Sequence, residues 1–197
     1  TASLRDMVLA AKALGLSYFG ISDHSQSAFY ANGLKINDLK SQRKEIDELQ
    51  REFKGFKIFW GIESDILVDG ALDYPDEVLC EFDFVIGSIH SRFQHDKETM
   101  TRRILKALEN PYITMVGHLT GRLLLEREAY GLDIPAIIEG CARHGVMIEL
   151  NSNPQRLDID WRWGSLLREK KCKVSINPDA HSIQGLQDIR FGVSMAR

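Results

Sequence analysis

Six side chains able to hold a divalent metal recur at one kind of place in this sequence. His24 closes the stretch Ile21-Ser22-Asp23-His24, Glu63 follows Gly61-Ile62, His90 follows Gly87-Ser88-Ile89, and His118 follows Val116-Gly117. Asp179 and His181 come directly after Ser175-Ile176-Asn177-Pro178. Imidazoles and carboxylates in this mixture suit zinc, manganese or iron, and a cysteine-free, oxygen-rich set suits hydrolysis better than a closed structural zinc. Singly these residues say little. A histidine after a strand is commonly a satisfied structural one, and Glu63 alone reads equally well as a helix cap or an ion-pair partner. The recurrence of a ligand type at the same position carries the reading. Arg122, four residues beyond His118, is a candidate phosphate ligand, because a guanidinium matches phosphate bidentately. His95, in a polar loop, and His144, just before Gly145, read as a rim residue and a helix-end cation. Arg102-Arg103 read as a solvated helix face, and Trp161 and Trp163 as packing residues.

The segments that must position the six are short strands alternating with helices. Ser3 and Asp6 resemble a capping box, Leu4, Met7, Val8, Ala11 and Leu14 repeat at helical spacing, and Gly15 ends that helix. Further helices are expected over 37–53, 75–80, 97–109, from Asp133-Ile134-Pro135 to Gly145, and over 161–171. Strands are expected over 18–21, 57–62, 82–87, 112–117, 146–150 and 173–176. Alternating strands and helices predict parallel pairing in an α/β architecture. In a β/α barrel the C-terminal strand ends converge on one mouth, which is where every candidate ligand falls.

Composition narrows the class. The chain has 197 residues, 44% hydrophobic and 27% charged, as an ordinary globular domain has. No linker-like stretch divides it, which predicts one domain over 1–197. No apolar run is long enough to span a membrane. Cys80, Cys141 and Cys172 are odd in number and far apart, so free thiols and a cytoplasmic setting are expected. A net charge of -3 argues against a broad basic face for wrapping nucleic acid.

The motifs Ile-Ser-Asp-His at 21–24, Gly-Ile-Glu at 61–63, Gly-Ser-Ile-His at 87–90, Gly-His-Leu-Thr-Gly-Arg at 117–122 and Asn-Pro-Asp-Ala-His-Ser at 177–182 resemble the PHP (polymerase and histidinol phosphatase) superfamily, nearly end to end. Segments 82–93, 117–124 and 150–158 resemble more narrowly the C-terminal PHP domain of bacterial family X DNA polymerases. The resemblance implies a distorted (β/α)7, TIM-barrel-like fold and a cluster of up to three divalent metals, manganese, zinc or iron. It also implies a 3'-5' exonuclease or related DNA-end-processing phosphoesterase activity, reaching DNA through an attached polymerase. His24, Glu63, His90, His118, Asp179 and His181 match the family's ligand positions. Glu63 is expected to bridge two metals, and His181 or Asp179 to position water or protonate the leaving group.

The family opens with a strand carrying His-x-His, followed by an Asp or His, whereas Thr1 already stands at the first helix. The resemblance therefore implies a missing first strand. One metal position would keep its protein ligands (Glu63, His90, His118), a second would keep Glu63 and Asp179, and a third His24 and His181. Little or no turnover by this chain alone, and either self-association through an open barrel edge or reduced stability, are expected to follow. The rival readings are a histidinol-phosphate-type phosphomonoesterase, a non-catalytic metal-stabilised module supporting a polymerase, and an ordinary α/β domain without metal.

Overall fold

Ser3 starts the first helix, α1 (Leu4–Ala13), by accepting the Asp6 amide at 3.1 Å, and Gly15 leaves it in the left-handed region at φ 77°. In the computed structural model, which describes residues 2–197, the chain then alternates between strand and helix. β1 (Tyr18–His24) is followed by α2 (Ile36–Glu52), β2 (Lys57–Asp65), α3 (Asp76–Leu79), β3 (Phe84–Ser88), α4 (Lys97–Ala107) and β4 (Met115–Val116). Then come α5 (Ile134–His144), β5 (Met147–Asn151), α6 (Gly164–Glu169), β6 (Val174–Asn177) and α7 (Ile189–Ala196).

The six strands pair in sequence order and all are parallel. Crossovers that each contain a helix or turn carry the chain back to the start of the next strand, so every C-terminal strand end faces the same way. The sheet curls into part of a barrel, a distorted TIM-barrel-like α/β fold with β1 and β6 at its edges among the described residues. Ile58, Trp60, Ile62, Val85, Val116 and Ile148 of the sheet pack with Leu39, Ile46 and Leu49 of α2, Met100 and Ile104 of α4, and Ile137 and Ile138 of α5 in one continuous core.

Five elements differ from the sequence expectation. β1 and β2 run on through His24 and Glu63, which therefore lie within strands, directly opposite each other in register. β4 is only the pair Met115–Val116. The helix expected over 161–171 opens as a 3-10 turn, Trp161–Trp163, before the shorter α6. α7 was not anticipated; it closes the C-terminal end over β6, with Gly192 lying where a Cβ would meet Ile176 and Ser152 at 2.6 Å. Arg103 also departs from the solvated-face reading, at 2% exposed. Its Nε donates to the carbonyls of Ile66 (3.0 Å) and Leu67 (2.8 Å), and its Nη1 to that of Ser91 (2.9 Å). It ties together the loops that follow β2 and β3. Its neighbour Arg102 is exposed, as expected.

Candidate metal centre

Glu63 is the hub. It lies near the end of β2, buried, with one carboxylate oxygen turned to each side. Oε1 is 3.3 Å from His90 Nε2 and 3.0 Å from His118 Nε2, and these two nitrogens face each other at 3.3 Å. Oε2 is 3.3 Å from His24 Nδ1. His24, Glu63 and His90 alone offer three ligand atoms close enough to share an ion.

The donor set fits a small divalent cation. Atoms bound at ~2.0–2.1 Å around a tetrahedral ion stand roughly 3.3–3.4 Å apart. The Glu63–His90–His118 triangle, with sides of 3.0–3.3 Å, has that size. His24 Nδ1, which faces Glu63 Oε2 at 3.3 Å, is buried without a hydrogen bond, which in a polar interior calls for a cation. The outer partners point the same way. Asp65, two residues along β2 and so on the same face as Glu63, accepts from His90 Nδ1 at 2.6 Å. That contact places the hydrogen on Nδ1 and leaves the Nε2 lone pair facing Glu63 and His118, as a metal-ligating histidine requires.

The electrostatics agree. Burial alone would raise the Glu63 carboxyl, but hydrogen bonds from His118 and His90 hold it well below the usual carboxylate range. Burial likewise opposes charge on His90, yet the Asp65 and Glu63 carboxylates push it up to about 9. His118 is raised too: Glu63 outweighs its burial. His24, where burial dominates, is lowered. The pocket thus demands positive charge between Glu63, His90 and His118.

A second ring of polar groups fixes the His118 side. Glu149, buried in the middle of β5, accepts the His118 amide at 2.6 Å and is held by Asn177 Nδ2 at 2.9 Å and Asn151 Nδ2 at 3.2 Å. Burial pushes its carboxyl up to about 7, against support from His118 and Asn177. Asn151 also donates to Asp179 Oδ2 at 3.1 Å, and Arg156 Nε lies 3.5 Å from the same oxygen. His181 is at the rim, its side chain 72% exposed, with Nδ1 2.9 Å from the Asp179 carbonyl and its ring 6.2 Å from that of His24.

The structure therefore brings His24, Glu63, His90 and His118 together, places Asp179 next to them through Asn151, and leaves His181 at the edge. Arg122 does not face the cluster with a free guanidinium. Its Nε donates to the Arg156 carbonyl at 2.9 Å, its Nη1 to Asp160 at 3.0 Å, and its Nη2 to the Leu157 carbonyl, so it braces the loop after β5. The guanidinium with an unused buried nitrogen beside Asp179 is that of Arg156, through Nη1. Trp163 packs against the core, but Trp161 is 70% exposed rather than packed. Sequence reasoning missed Asp65, Glu149, Asn151 and Arg156 as parts of the site. Alternation was the available signal: Glu63 and Asp65, and Glu149 and Asn151, are two apart on strands that face the mouth.

A model of the PHP domain matches residues 1–153. The chain belongs to the PHP domain family. It is 44% identical over 195 residues to the DNA polymerase/3'-5' exonuclease PolX of Bacillus subtilis, covering 99% of this chain and 34% of that protein. It is 26% identical over 186 residues to a probable phosphatase of Caldanaerobacter subterraneus, covering 85% of this chain and 65% of that one. The chain thus spans about a third of the Bacillus protein's length. Its fold is that of the histidinol phosphate phosphatase of Lactococcus lactis, solved with zinc, L-histidinol and phosphate, at a TM-score of 0.69 and 18% identity over 98% of this chain and 87% of that one. Among the described residues, no helix of this PHP domain is long and apolar enough to cross a membrane.

Proposed function

We propose that this PHP domain is a metal-dependent phosphoesterase acting on phosphodiesters at DNA 3' ends, the exonuclease or end-processing module of a family X polymerase. The observation that carries the chemistry is the Glu63 carboxylate, met by imidazoles on both oxygens. The likeness to PolX over nearly the whole chain supports the DNA substrate. Glu63, His90 and His118 would hold one cation, with His24 on the other face of Glu63 and Asp179 and His181 completing the set. A divalent cation held there would supply Lewis acidity and lower the pKa of water toward ~7.

The chain's own residues do the rest. Asp65 keeps His90 in the ligating tautomer. Glu149 fixes the backbone at His118. Arg156, whose Nη1 has no hydrogen-bond partner in the fold, would offer that nitrogen to a phosphate oxygen in a charge-assisted contact. His181, with Nδ1 against the Asp179 carbonyl, has only Nε2 left for one task at a time, a ligand bond to the cation or a proton at the departing oxygen. DNA would be held largely by an attached polymerase, in a cytoplasmic setting. Self-association through the β1 or β6 edge belongs to the same reading and is checked by sedimentation across a concentration series.

The test is turnover of a 3'-labelled oligonucleotide with manganese or zinc, compared with Glu63→Gln, for which metal-dependent turnover should disappear. Full metal-dependent turnover by that variant sinks the bridging role. The phosphatase relatives favour a second reading, a histidinol-phosphate-type phosphomonoesterase. Faster turnover of a small phosphomonoester than of the oligonucleotide would select it.

A further inference from the structure

The loop between β1 and α2 carries two neighbouring aromatic rings that nothing in the fold covers. Phe29 is 84% exposed and Tyr30 69%, on a 3-10 turn, Phe29–Ala31. Exposed adjacent rings cost solvation and mark a contact surface when their mount is rigid. This mount is rigid. Ser25 and Ala28, just below the rings, are fully buried. The Ser25 amide donates to the Glu63 carbonyl at 2.9 Å, and the Leu34 amide to that of His24 at 2.9 Å. Ser27 donates through its amide to Asp73 at 2.7 Å and through its hydroxyl to Asp65 at 2.8 Å, the carboxylate that orients His90. Asn32 takes the left-handed conformation at φ 53°. Gly33 is obligatory, because a Cβ there would meet the Ser25 carbonyl at 1.9 Å.

The turn is thus bolted to the candidate metal ligands, and Tyr30 stands beside them. The Tyr30 ring centroid is 5.9 Å from that of His24 and 6.2 Å from that of His90. A phosphate at the cluster, met by the unpartnered Nη1 of Arg156, would have its own nucleoside within reach of Tyr30, and Phe29 is the preceding residue on the same turn. Base faces stack on such rings without regard to sequence. We propose that Phe29 and Tyr30 are a stacking platform for the unpaired bases that flank the scissile phosphate, the feature that makes this site select single-stranded nucleic acid over a small phosphate ester. This rests on the phosphoesterase reading.

The experiment has two readouts on the full chain. Binding of a short fluorescein-labelled oligothymidylate, its 3'-terminal linkage a phosphorothioate to block cleavage, is followed by anisotropy with manganese present. Turnover is measured in parallel on the unmodified oligonucleotide and on p-nitrophenyl phosphate. Tyr30→Leu and Phe29→Leu should each weaken oligonucleotide binding about five- to fiftyfold and raise its KM by a similar factor, and Tyr30→Phe should restore both. The loss on the oligonucleotide should exceed any loss on p-nitrophenyl phosphate at least several-fold. Equal losses on both substrates, failure of Tyr30→Phe to rescue, or unchanged oligonucleotide binding would each overturn the platform. Absence of turnover by the unaltered chain on both substrates bears on the phosphoesterase reading instead, and the binding comparison still decides the platform.

Discussion

Glu63 and Asp65 share a face of β2 because strand side chains repeat every two residues, and that spacing gives the two carboxylates different tasks. Glu63 touches three imidazoles, whereas Asp65 touches one, on the nitrogen that faces away from the cluster. Asp65→Asn keeps the shape but weakens the orientation of His90. Metal affinity measured by competition with a chelating dye should fall about ten- to a hundredfold, with little change in thermal midpoint. An unchanged affinity would remove Asp65 from the metal's support. Arg122 belongs to a different residue-scale argument. Its partner Asp160 is held below the usual carboxylate range, chiefly by the Arg162 side chain, against burial, with Arg122 adding to it. A carboxyl depressed in the folded state gives stability present above its unfolded pKa, ~3.9, and lost as pH falls through the folded value. The urea midpoint of the native chain should therefore drop more steeply below that range than that of Asp160→Asn. Identical acid profiles would show that the Arg122–Asp160–Arg162 contacts carry no net stability. The ligand types were legible in the sequence because each one ends an apolar run. The outer partners were not, since Glu149 reads as one polar residue in a strand until His118 is seen beside it. Arg122 misled because its position near His118 says nothing of which acceptors its guanidinium finds first.

At the scale of elements, the strongly periodic or well-capped helices could be read from sequence: α1 from Ser3 and Gly15, α5 from Asp133, Pro135 and Gly145. β4 was over-read, because Tyr112-Ile113-Thr114 looks like strand while only Met115 and Val116 pair with both neighbours. α7 was missed, its short segment lacking a capping side chain at Asp188. Arg103 shows why a helix face cannot be called solvated from charge alone. The residues of α4 that carry Met100, Ile104 and Ala107 inward carry Arg103 with them, and the carbonyls of Ile66, Leu67 and Ser91 wait at its tip. Arg103→Leu would leave buried carbonyls without donors and loosen the loops after β2 and β3. A loss of about 2–3 kcal/mol in urea-measured stability is expected. A loss under about 0.5 kcal/mol would mean that water replaces the guanidinium without cost.

For the whole molecule, charge decides how nucleic acid would be held if the proposed substrate is right. The chain carries 25 Lys and Arg against 28 Asp and Glu, and its mouth concentrates carboxylates for a metal rather than cations for a backbone. On the proposed DNA reading, grip would come from the few phosphates at the cluster and from base stacking, with any broad electrostatic contact left to an attached domain. Counterion release makes this measurable, because each neutralised phosphate on a single strand contributes roughly -0.7 to the slope of log K against log salt. For the oligothymidylate with manganese held constant, a slope no steeper than about -2 is expected, equivalent to two or three phosphates. A basic face contacting six or more would give about -4 or steeper. Such a steep slope would overturn the division of labour, because the chain would be gripping DNA along a surface that its charge balance does not provide. A shallow slope together with lost affinity in Tyr30→Leu fits a site that seizes one strand end by its terminal phosphate and bases and leaves the duplex to another domain.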